Sequence, residues 1–190
     1  MEYKSVTARQ VGRSGGPVTW DDMQGSLSAA KLPPASAPAW TDITLAGFTT
    51  KALAFAIGDY IDIFVQTSHS AKLNQTIENH LHWLIETDDD GNEFKFTIDG
   101  VGAGIGGSFT AMTTITTGDV VLAGNAGKHN YTDIGEIDVL NTTVSSIYII
   151  RLTRVAVADG VDTGELIYVL WNDSHVKVDT LGSLEEESKI

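Results

Sequence analysis

The stretch from Ile77 to Glu93, "IENHLHWLIETDDDGNE", holds the densest set of side chains able to do chemistry. His80 and His82 are separated by one residue, so on a strand their imidazoles share a face. Such a pair can chelate zinc, nickel or copper if a third ligand converges on it in space, with His69, His175 and Glu86 as the candidates. Closed metal sites display more ligands than this, so a structural or interface role for the histidines is the preferred reading, with no metal. The carboxylates Asp88, Asp89 and Asp90 before Gly91 imitate half of a calcium loop, with Glu86, Asp88 and Asp90 at its first, third and fifth positions. The twelfth position is Thr97 instead of a bidentate glutamate and no helices flank the run, so a solvated turn is expected.

Other chemical patterns fail on context. Gly102, Gly104 and Gly107 in "GVGAGIGGS" have the spacing of a dinucleotide fingerprint, which works by setting pyrophosphate at the start of a helix. The run that follows, "SFTAMTTITT", reads as a strand. The glycines then imply a mobile loop or a close approach between chains. Ser68-His69-Ser70 and Ser174-His175 lack a nucleophile elbow, and neighbours on a strand point to opposite faces. A carboxylate pair for glycoside hydrolysis needs a separation that sequence does not supply. No catalytic residue and no cofactor are expected.

The elements that would position these residues read as strands. "DYIDIFVQT" places Ile61, Ile63 and Val65 on one face and Tyr60, Asp62, Phe64 and Gln66 on the other, the period of two that a strand requires. "HLHWLIET" repeats this with Leu81, Trp83 and Ile85, and "EFKFTID" with Phe94, Phe96 and Ile98. The Asp-Gly signal between the last two predicts a β-hairpin. Further β-rich runs are "SFTAMTTITT", "GEIDVL", "SSIYIIRLTRVAVA" and "GELIYVLWNDSHVKVDT". About eight strands of this kind predict an all-β fold, an antiparallel β-sandwich of jelly-roll type. Weak helical candidates are confined to Asp21–Ala30 and the terminal "SLEEESKI".

Composition divides the chain near residue 40. All four prolines (Pro17, Pro33, Pro34, Pro38) precede it, and residues 1–40 carry four basic and three acidic groups against eight and twenty-two in 41–190. This predicts an extended Pro/Gly-rich N-terminal arm, 1–40, joined to a sandwich domain, 41–190. Trp20 and Trp40 are costly to leave in water, so the arm is expected to dock on its own body or on a neighbouring subunit. A formal charge of −13 argues against wrapping nucleic acid, which needs a basic stripe. No apolar run of about 18 residues is present and "MEYKSVTARQVGRSGG" has no apolar signal core, so neither a membrane span nor a cleaved signal peptide is expected. The absence of cysteine excludes disulfides, thiolate nucleophiles and cysteine-ligated zinc.

Taken in order, several landmarks resemble a family of small virion proteins of tailed bacteriophages and their prophages. The family pattern runs Trp-Asp-Asp, then Gln-x-x-His, then His-x-His-Trp, then Asp-x-His and a late Asp-x-x-Gly-Ser. The matching positions are Trp20, Asp21 and Asp22; Gln66 and His69; His80, His82 and Trp83; Asp173 and His175; and Asp179, Gly182 and Ser183. Ser68 stands before His69 where the family commonly has proline, so the loop bearing His69 is expected to differ. The resemblance implies a structural β-sandwich that assembles into homotrimers on the virion, in particles built in the bacterial host cytoplasm.

That resemblance gives the histidines a task. His69, His80, His82 and His175 are expected to form a cluster that holds register between subunits without metal, loosening near pH 5 to 6 as imidazoliums repel. The most specific function expected is capsid decoration, with the arm lying along the major capsid protein and Trp20, Asp21, Asp22 and Trp40 as its contacts. Two alternatives come from other classes. One is a receptor- or glycan-binding module of a head fibre or tail, using "DDDGN" or "GVGAGIGG" as its rim. The other is a cupin-like metal-dependent enzyme built on the His-x-His strand.

Overall fold

The computed structural model describes residues 19–137 and 143–178. Eleven strands run through them: β1 Thr19–Gly25, β2 Ala39–Leu45, β3 Phe48–Phe55, β4 Tyr60–Gln66, β5 Ile77–Leu84, β6 Glu93–Ala103, β7 Thr113–Thr116, β8 Val120–Val121, β9 Asn130–Ile137, β10 Ile147–Val155 and β11 Ile167–Val178. They form two antiparallel sheets. In the first the order is β2-β3-β11-β5-β9, with β1 also paired to β11; in the second it is β4-β10-β6-β7, with β8 paired to β6. The quartet β3-β11-β5-β9 faces the quartet β4-β10-β6-β7, an eight-strand jelly roll. Strands β1, β2 and β8 are additions to it. No described helix is long and apolar enough to cross a membrane.

Alternation builds the core as the sequence implies. Ile61, Ile63 and Val65, Leu81, Trp83 and Ile85, and Phe94, Phe96 and Ile98 all point between the sheets and are buried. Aromatic edges meet faces there: Trp83 on Phe94 at 4.7 Å and Phe55 on Phe96 at 5.5 Å between ring centroids. Gly100 permits a close approach of the two sheets, since a Cβ at that position would lie 2.8 Å from Ile137 Cγ2. Gly100 and Gly102 extend β6 into the glycine run.

Three expectations are corrected. The segments flanking "DDDGN" are not a hairpin: β5 pairs with β11 and β9, β6 with β10 and β7, so the chain arches from one sheet to the other. Trp83 and Phe94 explain this, because they meet across the core when the strands face one another instead of lying side by side. The helical candidate at Asp21–Ala30 is a strand through Gly25 followed by a 3-10 turn, Leu27–Ala29. Seven residues of that strand match β11 in register, and this pairing outweighs local propensity. The run "SFTAMTTITT" is strand only over Thr113–Thr116. The terminal "SLEEESKI" candidate, with Asp179, Gly182 and Ser183, lies outside the described residues, as do residues 1–18 of the arm.

The described part of the arm docks on its own body. Met23 and Leu27 are buried in the main core, and Gly25 packs so tightly that a Cβ there would meet Ile63 Cγ2 at 2.5 Å. Lys31 and Asp62 exchange backbone hydrogen bonds at 2.8 and 3.0 Å, and the Tyr60 amide donates to Ser36 O at 2.9 Å, covering the free edge of β4. The expected boundary at residue 40 falls inside β2. The β2–β3 hairpin turns at Ala46 and Gly47, both at positive φ, and covers the outer face of the first sheet at one end. There Ile43, Ala52, Ala54, Leu84 and Tyr168 form a second, smaller core.

Candidate functional site

The same alternation that buries Leu81 and Trp83 turns His80 and His82 outward, onto the outer face of the first sheet. Strand β11 brings Asp173 and His175 to that face, while its even partners Asn172 and Ser174 point inward and are fully buried. A register shift between Val169 and Trp171 marks a bulge there, where Leu170 and Trp171 are both half-buried. His82 is the hub. Its Nε2–H donates to Asp173 Oδ2 at 2.8 Å, and its Nδ1 lies 2.8 Å from His129 Nε2. Only one of those two facing nitrogens carries a proton, so His82 and His129 share a single donor between them.

A second row runs beside the first. His80 and His175 stack with ring centroids 4.4 Å apart, and His175 Nδ1 sits 3.3 Å from Asp22 Oδ1 on β1. Tyr131 of β9 flanks both rows, 6.0 Å from the His80 ring and 6.4 Å from that of His82. The Lys177 ammonium lies over Trp20 at 4.8 Å. Asp21, Asp22 and Trp20 are exposed on β1; Trp40, also exposed, lies on β2 beside a groove formed with Leu27, Lys51, Leu170 and Trp171. A wider groove of about 520 Å³ is lined by His82, His129, Leu170, Trp171 and Asp173.

Of the four histidines expected to cluster, three do. His80, His82 and His175 come together, whereas His69 lies in the loop after β4, with its Nε2 2.9 Å from Ser145 Oγ. His129 takes the fourth place. It sits in the loop before β9 and has no periodic neighbour, so the sequence carries no signal for it. The cluster ties β1, β11, β5 and the β9 end together within one chain.

The acidic run is likewise committed locally. Asp88 Oδ1 accepts from the Ala126 amide at 2.8 Å and Asp90 Oδ1 from the Gly124 amide at 2.6 Å, while Asp89 accepts from Asn92 at 2.7 Å and from Thr163. Those two side-chain hydrogen bonds, Thr163 first, hold the Asp89 carboxyl below its ordinary range. Three adjacent carboxylates therefore serve three separate loop contacts. Behind the histidines, Ser174 Oγ donates to Asn79 Oδ1 at 2.9 Å in the sandwich interior, a buried polar contact invisible in the alternation pattern. Arg154 is also buried and bonds the carbonyls of Phe55, Thr163 and Glu165 and the Asp162 carboxylate. Burial pushes its pKa down and Asp162 opposes this.

Chemically, the face can relay a proton between rings and present aromatic and carboxylate groups to a partner. Among the described residues no three histidine, aspartate or glutamate side chains converge as a metal site. Ser174 and His175 point to opposite faces. No protein-family model matches the chain, and no curated protein matches it.

Proposed function

We propose that this protein is a structural component of a bacteriophage virion, a capsid decoration protein that assembles as homotrimers and attaches to the major capsid protein. One observation carries the reading. Three of the five motifs on which the family resemblance rests, at positions 20–22, 80–83 and 173–175, are far apart in sequence yet lie on neighbouring strands of one sheet, whereas Gln66 lies on the other sheet. Those three motifs bond one another and hold β1 against β11. A solid apolar core and a polar cluster spent on internal bonds suit a scaffold that binds other proteins.

Attachment through the arm takes a narrower form. Residues 19–40 are built into the sandwich, so removing them would cost core side chains. Residues 1–18, with Lys4, Arg9 and Arg13 against Glu2, are the segment to delete. Trp20 and Trp40 remain partly exposed and suited to anchoring at a capsid surface.

The test is immunogold labelling of particles banded from the phage or prophage lysate, with antibody raised against the recombinant protein. Label over the head surface is expected, and its loss on deleting residues 1–18 supports arm attachment. Absence of the protein from particles contradicts the proposal. A receptor- or glycan-binding module is the second reading, favoured by the groove beside Trp171, where an indole, a carboxylate and two imidazoles line one depression. Label confined to a tail tip or head fibre would favour it.

A further inference from the structure

The outer face of the second sheet differs from the rest of the surface. Cross-strand register aligns Phe64 of β4, Ile149 of β10 and Val101 of β6 directly opposite one another. Met112, just before β7, joins Val101 and Ile149 in a shallow groove of about 190 Å³. The result is an apolar row across three strands and the segment before β7, with Phe64 50% and Met112 64% exposed. A contiguous apolar row of this kind on a soluble domain marks an interaction surface. The groove is smaller than the roughly 300–1,000 Å³ of small-molecule sites.

We infer that this face is where copies of the chain associate, with Phe64, Ile149, Val101 and Met112 as the centre of the interface. The inference rests on the self-assembly in the function proposed above. The choice of a second copy over another partner follows from charge. The row beside the apolar one is Asp62, Arg151 and Asp99, which carries a single net negative charge and whose three groups are all bonded within the chain. Arg151 bonds Asp62 in bidentate fashion at 2.7 and 2.9 Å, and Thr114 donates to Asp99 at 2.5 Å. No uncommitted carboxylate in that row invites a cationic partner. A chain of net charge −13 is repelled by its own copies over most of its surface, and meets them at least cost where net charge is small and apolar side chains can be buried.

Full-length protein and the double variant Phe64→Ser/Met112→Ser are compared by sedimentation velocity over a wide concentration series. Phe48→Ser, at the exposed end of the β2–β3 hairpin on the other sheet, serves as control. The wild type and the control are expected to associate alike, and the double variant roughly 100-fold more weakly, the loss expected for two large buried anchors. Because both side chains point outward, far-UV circular dichroism should be unchanged. The single variant Met112→Cys, in a chain without other cysteines, gives a milder readout: its maleimide reactivity should fall as concentration rises. Equal association of the double variant and wild type would overturn the inference while leaving self-assembly intact. A wild type monomeric at every concentration would overturn both.

Discussion

The two sheets present opposite kinds of outer surface. On the first, the β2–β3 hairpin covers one end by seating Ile43 against Leu84 and Tyr168, and histidines, carboxylates and Trp20 occupy the remainder. On the second, Phe64 and Met112 are exposed and Ile149 and Val101 half-buried between them, all facing outward. The chain completes one face by itself and leaves the other apolar. Burial of apolar area is the main favourable term in both folding and association, so the uncovered face is where a partner gains most.

Equivalent substitutions on the two faces should therefore have unequal effects on monomer stability. Ile43→Ala removes a buried side chain from the covered face and should cost about 2–5 kcal/mol in urea unfolding. Phe64→Ala, on the uncovered face, should change monomer stability by less than about 0.5 kcal/mol. Equal costs would erase the distinction. Polar pairs sharpen it at smaller scale. His82→Ala strands the half-buried Asp173 carboxylate and should cost about 1–3 kcal/mol. Arg151→Ala breaks a more exposed pair on the other sheet, and unfolding should register less than about 1 kcal/mol.

The covered face also has a pH signature. Tyr168 donates to Glu86 Oε2 at 2.6 Å, and burial, that bond and nearby carboxylates push its pKa up to about 12. The folded chain keeps a proton that the unfolded chain releases near pH 10. This contribution is complete below about pH 10 and is lost as pH rises through about 12. Tyr168→Phe should flatten that alkaline decline in a pH series of unfolding midpoints, besides costing about 1 kcal/mol at neutral pH. The smallest effect belongs to the arch between the sheets. Asp89 is held below its ordinary range, so its contribution is present above that range and lost as pH falls. Asp89→Asn should make acid unfolding slightly less steep, and an unchanged acid limb would count against the Thr163 and Asn92 contacts.

The period of two made much of this legible. It named the inward residues of β4, β5 and β6 and turned His80 and His82 outward, because alternation depends only on local backbone geometry. What it does not carry is which strands pair. An Asp-Gly turn serves a hairpin or an arch equally, and the choice lay with Trp83 meeting Phe94 across the core. Strand β1 escaped for the same reason: "TWDDMQG" has little β character of its own and is strand because β11 lies beside it. His129 and the Ser174–Asn79 contact are long-range neighbours with no local pattern.

Whether the protein assembles through copies of itself, as proposed, is read out by native mass spectrometry of the full-length protein purified without chelator. The expected mass is that of a metal-free trimer. A monomer carrying one bound transition metal would contradict the proposal, and would make the histidine face a metal centre instead of a brace between strands.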